Sequence, residues 1–239
     1  MIRETFALLV QTLRDGIRIW WLAPLIPALV VVPEFIQHVA EIRIGMFDSK
    51  EAFRLMADDP RRMIWGFLKL AGLLLAILAT VRFWGAQSIG QKWWNLRGLH
   101  WKALGIAILL MALTSVPEWL LTGRVSENAA LAVTAAITLA TLPLIVYLVR
   151  ALAGGERLTL KSAFTRGWWP GLRILLFAAA AWIPLQWLHG QTHVWAMGQP
   201  DAAVWALMTF DALLVGLLAT MAGTAFHHGA RLPVVAERT

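Results

Sequence analysis

The 239 residues include no cysteine, 59% hydrophobic side chains and a formal charge of +7, with a mean hydropathy of +0.65. A water-soluble fold of this length cannot hide that much apolar side chain, so composition argues against soluble domains and excludes disulfides, thiolate metal sites and cysteine nucleophiles. In a membrane protein the positive charge reads first as lysine and arginine retained in the cytoplasm, and nucleic acid is not a predicted partner.

In chain order, Ile2, Phe6, Leu9, Val10, Leu13 and Ile17 follow helical spacing while Arg3, Glu4, Gln11 and Arg14 are polar. This pattern predicts an amphipathic helix lying in the headgroup plane. No short apolar stretch ends in a small-residue cleavage site, so the first span reads as an uncleaved anchor. Apolar runs follow at 19–40, 63–84, 103–121, 128–149, 174–188 and 202–226. Most approach the roughly 20 residues that a bilayer requires. The fifth is short, and the flanking "WWPGLR" supplies the interfacial anchor that lets it cross. The predicted fold class is therefore all-α, an integral membrane domain of six transmembrane helices with interfacial amphipathic helices.

Of the 21 lysines and arginines, Lys69 falls inside a span. Six others, Arg43, Lys50, Arg54, Arg61, Arg62 and Arg124, lie on one predicted side, leaving fourteen on the other. The richer side is assigned to the cytoplasm together with both termini, in a bacterial inner membrane.

The odd-numbered spans share a pattern. "VVVPEFIQH", "LTSVPEWLL" and "AAWIPLQWLHG" each place a proline shortly before a carboxylate or amide and an aromatic. Arg14, Arg97 and Arg166 precede Pro33, Pro117 and Pro184 by 19, 20 and 18 residues. Tryptophan pairs stand at each cytoplasmic approach: Trp20 with Trp21, Trp93 with Trp94, and Trp168 with Trp169. These residues are expected at the lipid headgroups, and the chain reads as one membrane domain of three hairpin repeats, roughly 1–84, 85–154 and 155–239.

The stretch "GERLTLKSAFTRGWWPGLRILLF" resembles the start of the repeat in a loose bacterial superfamily of polytopic proteins. That superfamily includes the membrane domain fused to glycerophosphodiester phosphodiesterases. The resemblance extends from 155 to about 188 and more weakly over the first two repeats. It implies a six-helix membrane domain. The soluble catalytic domain of those enzymes has no counterpart here, and their activity is not carried over.

Ionisable side chains inside spans are costly, which makes Glu34, Lys69, Glu118 and Asp211 a candidate intramembrane polar cluster in the outer half of the bilayer. Hydration of Glu34 and Glu118 at the interface, snorkelling by Lys69 and a structural hydrogen bond from Asp211 are the competing readings. His189 and His193 are four apart, with His38 at the same predicted level, but "HGQTHVW" contains a glycine and reads as a loop. No metal site or cofactor is assigned. No serine elbow, HExxH or phosphate loop occurs. The expected function is non-enzymatic: an accessory subunit of a membrane complex or a lipid-organising component, with anionic cytoplasmic-leaflet lipids and other membrane subunits as partners. A small transporter with a polar site in the outer half is the alternative, and an intramembrane lipid enzyme comes third.

Overall fold

The computed structural model describes residues 2–114, 116–121, 124–155 and 157–232, apart from the side chains of residues 2, 118, 119 and 121. Among these residues it is all-helical and contains no strand. The helices are α1 (Ile2–Leu22), α2 (Leu25–Arg43), α3 (Lys50–Leu55), α4 (Pro60–Ser88), α5 (Trp101–Thr114), α6 (Val116–Leu121), α7 (Glu127–Ala140), α8 (Leu142–Ala153), α9 (Leu160–Arg166), α10 (Trp168–Ala196) and α11 (Asp201–Gly229). α2, α4, α10 and α11 are long and apolar enough to cross a membrane, and α7 with α8, bent by 48°, makes a fifth if the pair is one span. On α4, Ile64, Phe67, Leu68, Leu70, Leu74 and Leu75 are all exposed, a surface suited to lipid and not to water. These are the helices of a membrane-embedded protein.

Local chemistry sets the boundaries. Pro24 has no N–H to donate and disfavours helical backbone at Ala23, which separates α1 from α2. The first apolar span therefore begins at Leu25 and not at residue 19. Ser49 caps α3 by accepting the Ala52 N–H at 3.0 Å. Asp59 caps α4, taking the Arg61 N–H at 2.8 Å, and the Arg61 guanidinium holds its carboxyl below the usual range. The predicted third span is divided between α5 and α6, leaving α5 a 14-residue apolar helix. The fifth lengthens at both ends into the 29 residues of α10.

The chain forms two compact units, Met1–Thr80 with Phe177–Ala225, and Val81–Leu176 with Phe226–Thr239. In the first, glycines allow helices to approach backbone to backbone. A Cβ built on Gly72 of α4 would lie 2.2 Å from the Leu29 carbonyl oxygen of α2. On α11, Gly216 faces Val31 and the Trp20 ring, and Gly223 faces Thr80 and the Ile77 carbonyl. Gly16 of α1 packs on Met221, so the buried stripe Thr12, Asp15, Gly16 and Ile19 lies on the protein side of α1. Its Phe6, Val10, Ile17 and Trp21 remain exposed. α11 thus has α1, α2 and α4 against its small residues, the packing mode of membrane helices.

In the second unit the organising side chain is Arg82, which is buried. Its guanidinium donates to the Ala153 carbonyl at 2.8 Å, the Asn95 carbonyl at 2.7 Å and Gln91 Oε1 at 3.3 Å. One cation thereby ties the segment after α4 to the end of α8. Gly154, with φ of 81°, turns the chain out of α8 at that point. Arg173 likewise donates to the free Gly229 carbonyl at the end of α11, at 2.9 Å.

Replacing Gly72 with valine should lower stability by about 1–3 kcal/mol, because the branched side chain has only backbone to displace. Gly105, which has nothing within 4 Å of a built Cβ, provides the control: its alanine variant should be neutral or slightly stabilising. Unfolding in detergent, followed by tryptophan fluorescence, checks both.

Candidate functional site

One face of α2 is polar within an otherwise apolar helix. Glu34, Gln37, His38 and Glu41 stand at the i, i+3, i+4 and i+7 positions that share a helix side, and all four are buried. A polar stripe facing protein in a membrane helix requires partners, and the same unit supplies them.

Asp211 of α11 is fully buried. His189 Nδ1 approaches its Oδ2 at 2.8 Å, His38 Nε2 at 3.0 Å and His193 Nε2 at 3.5 Å. Thr192 Oγ1 donates to its Oδ1. His38 faces a carboxylate from each ring nitrogen, because Nδ1 also lies 2.8 Å from Glu41 Oε2. Glu34 Oε1 sits 3.3 Å from His38 Nε2 and accepts from Lys69 Nζ at 3.2 Å. Glu41 Oε1 accepts from Arg62 Nε at 2.7 Å and from Gln37 Nε2 at 2.9 Å. The result is one network drawn from α2, α4, α10 and α11. Two triplets, His38–His193–Asp211 and Glu34–His189–Asp211, each bring potential metal-ligand atoms within 4.8 Å of one another.

An apolar cap adjoins the network. The Phe47 and Phe53 rings stand 5.9 and 6.1 Å from the His193 ring. Phe47 also packs with Ala196, Val204 and Met208. The Gly198 N–H donates to the Phe47 carbonyl at 2.8 Å, fixing the loop before α3 to the turn between α10 and α11.

The predicted residues take different places. Glu34, Lys69 and Asp211 all belong to the network, with Lys69 bonded to Glu34 and not to Asp211. The Glu118 side chain lies outside the described residues. Arg14, Arg97, Arg166, Trp21, Trp94, Trp168 and Trp169 are exposed, and Trp93 is half-buried beside Trp94. Trp20 is half-buried against Gly216, and its Nε1 is buried without a hydrogen-bond partner.

The loop expected at "HGQTHVW" is corrected. α10 continues to Ala196, so His189 and His193 are one helical turn apart on the side facing Asp211. Gly190 is exposed and unobstructed, and an interior glycine is tolerated in a membrane helix whose other backbone groups have no water to bond. In a helix, unlike a loop, the two imidazoles share a face, and His193 joins His38 and Asp211 in a group with metal-ligand spacing. Glu41 lies just beyond the apolar run 19–40, and neither Gln37 nor Thr192 carries a charge that would mark it in the sequence.

Apolar membrane helices gathered on a histidine–carboxylate network define a membrane-embedded protein with a buried polar centre. Comparisons with protein families, with curated proteins and with solved structures find no match.

Because Gly190 is interior to α10 and unobstructed, alanine there should raise stability by about 0.5–1 kcal/mol. Removing Lys69 alone as Lys69→Met strands the Glu34 carboxylate, which is 0% exposed, and should lower stability by up to about 3 kcal/mol. Lys69→Met combined with Glu34→Gln should recover part of that loss in the same unfolding assay.

Proposed function

We propose that this chain is a small bacterial inner-membrane transporter that passes a cation through the polar centre of its first unit. Charge balance carries the reading. Glu34, Glu41 and Asp211 are three carboxylates against two fixed cations, Lys69 and Arg62. With neutral histidines one negative charge is left, buried among apolar helices, where an uncompensated charge is expensive. A further positive charge, a proton on an imidazole or a bound cation, neutralises it. A structural bridge needs only one carboxylate and one base, whereas this centre adds three imidazoles able to take up and release charge. Pro33 and Pro184 interrupt the hydrogen bonding of α2 and α10 one turn or so before His38 and His189.

In this reading six spans cross the membrane, α5 with α6 supplying the one that neither provides alone, and they form three hairpins near 1–84, 85–154 and 155–239. The resemblance of 155–188 to polytopic membrane domains supports that arrangement. The excess of lysine and arginine sets both termini in the cytoplasm and the centre in the outer half of the bilayer.

A second reading, an accessory subunit or lipid-organising component in contact with anionic lipid and other subunits, is favoured by the periphery. Trp21, Trp94, Trp168 and Trp169 are exposed, as are Arg14, Arg97 and Arg166, and Phe6, Val10, Ile17 and Trp21 of α1 face outward.

The readings separate in proteoliposomes. A transporter passes protons or divalent cations down an imposed gradient, detected by entrapped indicator dyes, and Asp211→Asn abolishes that flux. A lipid-contacting subunit shows no flux, and neutralising Arg14, Arg97 and Arg166 weakens its association with anionic vesicles. The absence of native cysteine also allows a direct topology test. A cysteine in place of Lys50 should react with a membrane-impermeant reagent added outside intact cells, and protection there would reverse the orientation.

A further inference from the structure

We infer that the centre binds a divalent transition metal of the zinc class, held by His38, His193 and Asp211. This rests on the cation reading above and names the cation.

The first argument is geometric. Nitrogen and oxygen ligands bind zinc at about 2.0–2.1 Å, so in a tetrahedral site neighbouring ligand atoms stand about 3.3 Å apart. Here Asp211 Oδ2 lies 3.0 Å from His38 Nε2 and 3.5 Å from His193 Nε2. Those separations bracket the edge of such a tetrahedron. Three protein ligands with a fourth position open is the arrangement of a site that exchanges or processes what it binds. Glu34 and His189, which share Asp211 in the second triplet, lie with it within 4.8 Å of one another and are the nearby groups that could serve as a fourth ligand.

The second argument lies one shell outward. Glu41 Oε2 is 2.8 Å from His38 Nδ1, the ring nitrogen away from Asp211. A carboxylate there fixes the tautomer that leaves the Nε2 lone pair free, as is usual for metal-bound histidine. Arg62 and Gln37 hold Glu41 in place. Thr192 orients Asp211 through its other oxygen, so that Oδ2 faces His38, His193 and His189 together.

The third argument is an unmet demand. Glu34 is fully buried, yet its Oε2 has no hydrogen-bond partner. Such an atom ordinarily costs free energy, and a metal ion beside His38, which lies 3.3 Å from the other Glu34 oxygen, offers the carboxylate a second partner besides Lys69.

Full-length protein purified without a polyhistidine tag and stripped by a chelator tests this by titration with Zn²⁺ and with Co²⁺. The expected result is saturable binding of about one ion per chain, with visible absorption of four-coordinate Co²⁺ and a rise in the thermal midpoint. Asp211→Asn and His193→Gln should remove the Co²⁺ bands. Glu41→Gln, which touches no ion, should weaken binding by about 10- to 100-fold and keep the bands. If Asp211→Asn does not fold, the half-buried, size-matched His193→Gln variant still decides. The inference is overturned if the folded, stripped wild type binds neither ion saturably, or if His193→Gln binds with wild-type affinity. Binding without flux discards transport and keeps the metal; proton flux without binding does the reverse.

Discussion

A carboxylate buried in a membrane helix needs positive charge or proton donors around it, and Asp211 collects its partners from two other helices. His38 comes from α2, and His189, Thr192 and His193 come from α10. Each partner must present a nitrogen or hydroxyl within hydrogen-bond reach of one side chain, which fixes the register of those helices on α11. The small residues Gly216 and Gly223 then let α11 approach α1, α2 and α4 closely enough for the network to close. Packing and polar satisfaction reinforce each other, and neither suffices alone in a medium without water.

The network is graded from inside to outside. Asp211, Glu34, His38 and Glu41 are shut off from solvent, whereas Lys69, Arg62, His189 and His193 are only partly covered. Anionic groups thus occupy the centre, and the fixed cations stand at its margin. The phenylalanine cap on His193 lowers the local dielectric and strengthens each of these interactions.

Much of the helical plan could be read in the sequence because length and hydropathy dominate in a bilayer. Its errors fell where backbone punctuation was ambiguous. Pro24 ended a helix that hydropathy carried through, while Pro33 and Pro184 did not end theirs. Gly190 was read as a loop signal although it lies in a helix interior. The site was half visible: Glu34, Lys69 and Asp211 stood out as charges in apolar runs. His38 and Glu41 had a signal of their own, the i, i+4, i+7 polar stripe that begins at Glu34. Thr192 had none, since a lone threonine in a membrane helix is ordinary. That Asp211 would meet α2, 173 positions back at His38, was not readable from any local pattern.

The distribution of partners along the chain has a consequence for biogenesis. Residues 34–69 reach the membrane first and contribute Glu34 and Glu41 together with Lys69 and Arg62, two charges of each sign already paired within one hairpin. That segment can be inserted electrically balanced and wait. The uncompensated carboxylate and two of its imidazoles arrive only with residues 189–211, more than a hundred positions later in synthesis. Assembly of the centre is therefore a late step, and a nascent chain halted before α10 would hold a charge-balanced hairpin with no centre in it.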